Sequence, residues 1–255
     1  MFKVLICIIA GIGAGVGTGF AGMSAAAVIS PMLIAFLDMD PYLAVGIALA
    51  SDVLASAASA VTYGKNKNLD IKNGLIMMAS VLCFTAVGSF VASVVPKTAM
   101  GNFSVIMTLL LGVKFIVKPV VAPKRRLTEA TTAQKAVRSV LCGSAVGFVC
   151  GFVGAGGGMM MLLVLTSVLG YELKTAVGTS VFIMSITALT GSVSHFVIGG
   201  MPDTEALIIC IVSTLAAAQL SAVFANKASP KTLNRITGAI LVALGIAVLV
   251  VNHVS

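Results

Sequence analysis

The chain has 255 residues, 59% of them hydrophobic and 9% charged, with a formal net charge of +8. A soluble domain of this size cannot hide so much apolar surface, because its exterior must carry far more charge. Nor does the basic excess point to nucleic acid: the lysines and arginines fall in short stretches between apolar runs, where such residues set the orientation of membrane helices.

The first apolar segment covers 4–21. Lys3, just ahead of it, is the sole basic residue there and Gly11, Gly13, Gly15, Gly17 and Gly19 interrupt the segment, so it reads as a retained helix rather than a cleaved leader. Further segments follow at 26–37, 42–63, 73–95 and 101–118. A second set lies at 138–153, 158–169, 174–198, 205–224 and 234–251. Segments 26–37 and 158–169 make roughly 18 Å of helix at 1.5 Å per residue, short of a bilayer core of about 30 Å. Each reads as the second arm of a broken or re-entrant pair, hinged at the junction before it. The expected fold is an all-α polytopic membrane protein, with a first membrane repeat at 1–118, a basic cytoplasmic linker at 119–137 and a second membrane repeat at 138–255.

The repeat is visible in the letters. A shift of 132 residues aligns Gly11, Gly15, Gly19 and Gly22 with Gly143, Gly147, Gly151 and Gly154, Phe20 with Phe152, and Ala44-Val45-Gly46 with Ala176-Val177-Gly178. Loop charge then predicts orientation. Lys118, Lys124, Arg125, Arg126, Lys135 and Arg138 mark the central linker as cytoplasmic. Lys65, Lys67 and Lys72 form another basic stretch, as do Lys227, Lys231 and Arg235, whereas Asp38 and Asp40, and Asp203 and Glu205, mark external loops. If each broken pair enters and leaves on one side, loops 64–72 and 199–205 fall on opposite sides. The halves are then inverted repeats with both termini outside a cell (inner) membrane, a common architecture of secondary transporters.

The breaks are the candidate site. Gly154-Ala155-Gly156-Gly157-Gly158 places four glycines in five residues, each weakening a helix by about 1 kcal/mol relative to alanine. Such a break exposes backbone N–H groups where the helix dipole favours an anion; close helix packing through small residues is the other reading. Its partner is Gly22-Met23-Ser24-Ala25-Ala26, with Ser24 where the second half has Gly156. Inverted halves bring the two breaks face to face, which favours a substrate site built from Gly22, Ser24, Gly154, Gly156, Gly157 and Gly158. Ser51 adds a hydroxyl. Thr179 and Ser180, after Gly178, either cap a distorted helix or bind a ligand oxygen.

Asp52 stands in an apolar segment, where a carboxylate costs about 2.5–3.5 kcal/mol on insertion scales; its repeat counterpart is Met184. Ionised, it repels an anion; protonated, it donates a hydrogen bond. It is therefore the candidate coupling residue for a proton, with sodium binding or structural hydrogen bonding as alternatives. Gln219 either lines the pathway or bonds between helices. Lys114 and Lys118 read as snorkelling side chains, and the methionines as lipid-facing or core filler. The five cysteines lie in apolar segments without ligand spacing and His195 and His253 stand alone, so no metal, cofactor or catalytic residue is expected. No Walker motif is present.

Gly154-Ala155-Gly156-Gly157-Gly158 followed by Ala176-Val177-Gly178-Thr179-Ser180 resembles the TauE/SafE sulfite exporter family, also called toluene sulfonate uptake permeases, and the likeness covers nearly the whole chain. The resemblance implies secondary transport of sulfite, thiosulfate or an organosulfonate. The first half departs from the pattern: Met23, Ser24 and Ala25 replace part of the glycine run, and Ile47-Ala48 stand where Thr-Ser is usual. A passive anion channel and a carrier of non-sulfur organic anions are the alternatives. The expected partners are a small anion and the lipid bilayer, with a homo-oligomer left open.

Overall fold

The computed structural model describes residues 1–93, 113, 116–117, 132–153 and 157–254. All the regular structure among them is helical: α1 Phe2–Ala21, α2 Ala26–Leu37, α3 Pro41–Lys65, α4 Ile71–Ser93, α5 Thr132–Val153, α6 Gly157–Leu163, α7 Leu173–Gly199, α8 Thr204–Lys227 and α9 Pro230–Val254. A wider helical turn, Val164–Val168, extends α6. The apolar segments read from the sequence match these helices, which run a few residues further into polar caps. Helix α5 starts at Thr132, inside the expected linker; most of 101–118 and 119–131 lies outside the described residues.

Among the described residues, four stretches are long and apolar enough to cross a bilayer: Phe2–Ala21, Leu43–Lys65, Leu173–Val197 and Thr204–Lys227. The outward faces are apolar, as Val197 at 79% and Leu220 at 74% exposure illustrate. The interior holds Thr18, Ser24, Ser51, Asp52, Ser56, Ser59 and Thr237, all buried. Lipid outside and hydroxyls inside is the arrangement a membrane protein requires, since intramembrane polar groups must find partners within the bundle.

The glycines of α1 form its seam with α8. A Cβ at Gly11 would strike the Ser213 side chain, and one at Gly15 would come 2.8 Å from the Ala217 Cβ. The corresponding glycines of α5 face α4: a Cβ at Gly143 would lie 2.9 Å from the Ser80 Cβ, and one at Gly147 2.8 Å from the Val81 Cα. Small residues let these helices approach backbone to backbone. Gly11 meets Ser213 as Gly143 meets Ser80, and Gly15 meets Thr214 as Gly147 meets Val81. Helix α1 thus packs on α8, and α5 on α4, through glycine seams. The central pair is α3 against α7.

The ends of α8 are fixed by polar contacts. Lys3 pairs with Asp203 and Glu205 where α8 begins. Near its other end, the Asn68 amide donates to Asn226 Oδ1 at 2.7 Å, so α8 finishes beside the connection from which α4 starts.

Candidate functional site

Helix α1 stops at Gly22, whose φ of 60° is the left-handed conformation glycine adopts freely. A helix end in a bilayer leaves carbonyls that water cannot satisfy. Here side-chain hydroxyls take them. Tyr63 of α3 donates to the Gly19 carbonyl at 2.8 Å, and Thr237 of α9 to that of Phe20 at 3.1 Å. Ser180 of α7 donates to the Gly22 carbonyl at 2.8 Å, and the one proton of the Thr18 hydroxyl is shared between the Met23 and Ala14 carbonyls, each at 3.0 Å. The carbonyls of Ser24 and Ala25 accept from the first turn of α2. By contrast, the N–H groups of Met23 and Ser24 donate to no acceptor among the described residues. Among the described residues, hydroxyls thus donate to the carbonyls of Gly19, Phe20 and Gly22, while the Met23 and Ser24 N–H groups have no acceptor.

Gly158, at the start of α6, lies against this break. A Cβ on it would come 2.7 Å from the Met23 Cα and would press on the Ser24 nitrogen. Beneath, Asp52 is fully buried, with its Oδ1 accepting from Ser56 Oγ at 2.7 Å and its Oδ2 unpartnered. The Ser24 hydroxyl and the Ala25 N–H lie beside this carboxylate.

Of the residues singled out from the sequence, Gly22, Ser24, Gly158, Ser180 and Asp52 therefore come together. Gly157 opens α6, and Gly154 and Gly156 lie outside the described residues. Ser51 donates to the Ile47 carbonyl of its own helix at 2.9 Å. Thr179 Oγ1 accepts the Asp70 N–H at 3.2 Å. Gln219 pairs with Thr62 at 3.0 Å, the interhelical role rather than a pathway one. Among the described residues no group of His, Cys, Asp and Glu could hold a metal ion.

The model of the family described as sulfite exporter TauE/SafE matches residues 7–248, nearly the whole chain. The chain belongs to the TauE/SafE family. The similar proteins are transporters by name. "Probable membrane transporter protein YunE" of Bacillus subtilis is 26% identical over 261 residues, covering 94% of this chain and 95% of its own length. YdhB of the same organism, with the same description, is 24% identical over 83% of this chain and 86% of its own length. A third so described, from Methanocaldococcus jannaschii, is 25% identical over 81% of this chain and 78% of its own length. This is a multi-pass membrane protein of a transporter family.

In this TauE/SafE chain, Gly178-Thr179-Ser180 serves as a clasp. Gly178 has no Cβ because the Asn68 carbonyl packs there; Thr179 takes the Asp70 N–H, and Ser180 the Gly22 carbonyl. Around Asp70 a polar knot joins the halves. Its Oδ2 accepts from Tyr171 and from the Asn73 amide, each at 2.7 Å, and Lys174 donates to the Asn226 carbonyl at 2.8 Å. Burial, together with the adjacent Asp70 carboxylate, pushes the Tyr171 phenol above its ordinary pKa. The sequence reading missed Tyr63, Thr18, Thr237 and Ser56. Ser56 alone carried a local signal, since it stands one helical turn after Asp52.

Proposed function

We propose that this TauE/SafE protein is a secondary carrier, not an enzyme, and that it moves a small anion, a sulfur oxoanion or organosulfonate, through the paired breaks. The observation that carries the reading is the polarity of the first break. Hydroxyls from three other helices donate to its carbonyls, while the Met23 and Ser24 N–H groups have no acceptor among the described residues. Unpaired donors at the start of a helix suit an anion. Gly158 packed on the same backbone supports a site shared by both halves, to which Gly154, Gly156, Gly157, Ser51, Thr179 and Ser180 contribute.

The carrier reading comes with a topology. Counterpart helices α4 and α8 start at opposite ends of the bundle: α8 beside Lys3, α4 beside the Asn226 end of α8. This supports inverted repeats at 1–118 and 138–255 joined by a cytoplasmic linker. With Lys65, Lys67 and Lys72 on the cytoplasmic side, the Lys3 end faces outward across the cell membrane. The sulfur anion follows the family description.

Purified protein in liposomes tests the reading directly. Labelled sulfite, thiosulfate or toluene sulfonate should enter saturably and exchange against unlabelled anion inside, and Gly158→Val should abolish uptake. Flux that neither saturates nor shows counterflow would replace the carrier with a channel.

A further inference from the structure

We propose that the Asp52 carboxylate is a tethered competitor for the substrate's seat, and that one proton taken up on it admits one anion to the break. This deepens the carrier reading and rests on it.

Three observations lead there. First, the carboxylate is fully buried with one oxygen held by Ser56 and the other unpartnered, beside the Ser24 hydroxyl and the Ala25 N–H. An ionised group so placed presents its charge to the positive start of α2, a helix of 12 residues, which is where an incoming anion would go. Second, nothing offsets a second negative charge. The polar groups beside Asp52 are Ser56 on α3 and Ser24 and Ala25 at the break, and no titratable side chain of α1, α2, α7 or α8 acts on it among the described residues. Two anions a few Å apart away from water repel strongly, on the order of a thousand-fold in affinity at 4 Å and an intermediate dielectric. Third, the second half has Met184 at the corresponding position, so the carrier holds one such group per chain.

A proton fits this place better than sodium. A hard cation needs several oxygen ligands, whereas beside Asp52 the described residues offer its own carboxylate and the Ser56 and Ser24 hydroxyls. The balance is simple. Asp52 carboxylate plus one proton gives the neutral acid, whose O–H becomes a donor; the anion accepts from it and from the N–H groups of the break. Release of anion and proton restores the carboxylate. One proton moves with one anion, electroneutrally for a monoanion.

Calorimetric titration of the full-length protein with thiosulfate and with toluene sulfonate, in buffers of different ionisation enthalpy, counts protons taken up per anion bound. Native protein should take up about one, and its affinity should fall about tenfold per pH unit over the alkaline limb, the slope of a single linked proton. D52N should bind with no proton uptake and a flat pH profile; in liposomes it should keep anion counterflow but lose accumulation driven by a proton gradient. Binding to native protein without proton uptake overturns the inference even if D52N proves unstable, as does a D52N protein that keeps the pH slope. If the carrier reading itself is wrong the outcome differs: neither protein binds any probe at any pH.

Discussion

The Tyr171 phenol, just ahead of α7, donates at 2.7 Å to the Asp70 carboxylate at the start of α4, and so ties the two halves together at one end of the bundle. The other end is tied differently. There Asp203, which opens α8 as Asp70 opens α4, pairs with Lys3 of the neighbouring α1. The residue corresponding to Tyr171 is Met39, which can offer no such bond.

Tyr171→Phe removes one hydrogen bond to a carboxylate, a loss of about 1.5–3 kcal/mol. The phenol's pKa is raised in the folded state by burial and by Asp70. Its contribution is therefore complete below the unfolded value of about 10 and disappears as pH rises through the folded one. Thermal unfolding should show native protein losing stability above pH 10 and the variant lacking that alkaline component. Equal alkaline sensitivity in both would show that the phenol is not the group responsible.

Ser180→Ala should leave the Gly22 carbonyl buried without a donor, and Tyr63→Phe should do the same to Gly19. Each unpaired acceptor costs about 1–3 kcal/mol. Both variants should melt lower than native, and the Ser180 variant should also lose anion affinity because it frees the break that holds Ser24. If S180A transports normally while melting lower, the hydroxyl only supports the fold.

These partners show where sequence reading stops. The helices, the break after α1 and Asp52 are legible because hydropathy, glycine content and an intramembrane charge are local signals. The Tyr63 and Thr237 hydroxyls on the first break are not, because their acceptors lie 44 and 217 residues away in the chain, and Ser180, singled out as a cap or a ligand, finds its acceptor 158 residues away. The role of Gly11 and Gly15 is not legible either, for another reason. The absence of a side chain serves a ligand cradle and a tight helix seam equally well, and their contacts with Ser213 and Thr214 assign them to the seam.

That assignment predicts sensitivity at the seam glycines of α1 and α5. Gly15→Ala puts a methyl 2.8 Å from both Ala217 Cβ and Ala218 N, where backbone must shift, and overpacking of this kind costs about 1–3 kcal/mol. Gly147→Ala meets the Val81 backbone in the same way. Folded yield in detergent should fall in both. Unchanged yield in either would mean that its seam can open without cost.

Lys3 and Asp203 supply the last test, because they report on the end opposite Tyr171. The Lys3 ammonium, then the Ala206 N–H, hold the Asp203 carboxyl below its ordinary range. A depressed carboxyl stabilises the fold above its unfolded pKa, about 3.9, and that contribution is lost as pH falls through the folded value. Asp203 is 37% and Lys3 33% exposed, so solvent limits the pair to about 0–1 kcal/mol. Lys3→Met should therefore lower the melting temperature slightly at neutral pH, and the gap from native should close on acidification below pH 4. A gap that persists in acid would mean that Lys3 acts through packing of its stem against α8 rather than through charge. Asp203→Ala should cost more than Lys3→Met at neutral pH, since it also removes the cap on Ala206, a further loss of about 0.5–2 kcal/mol.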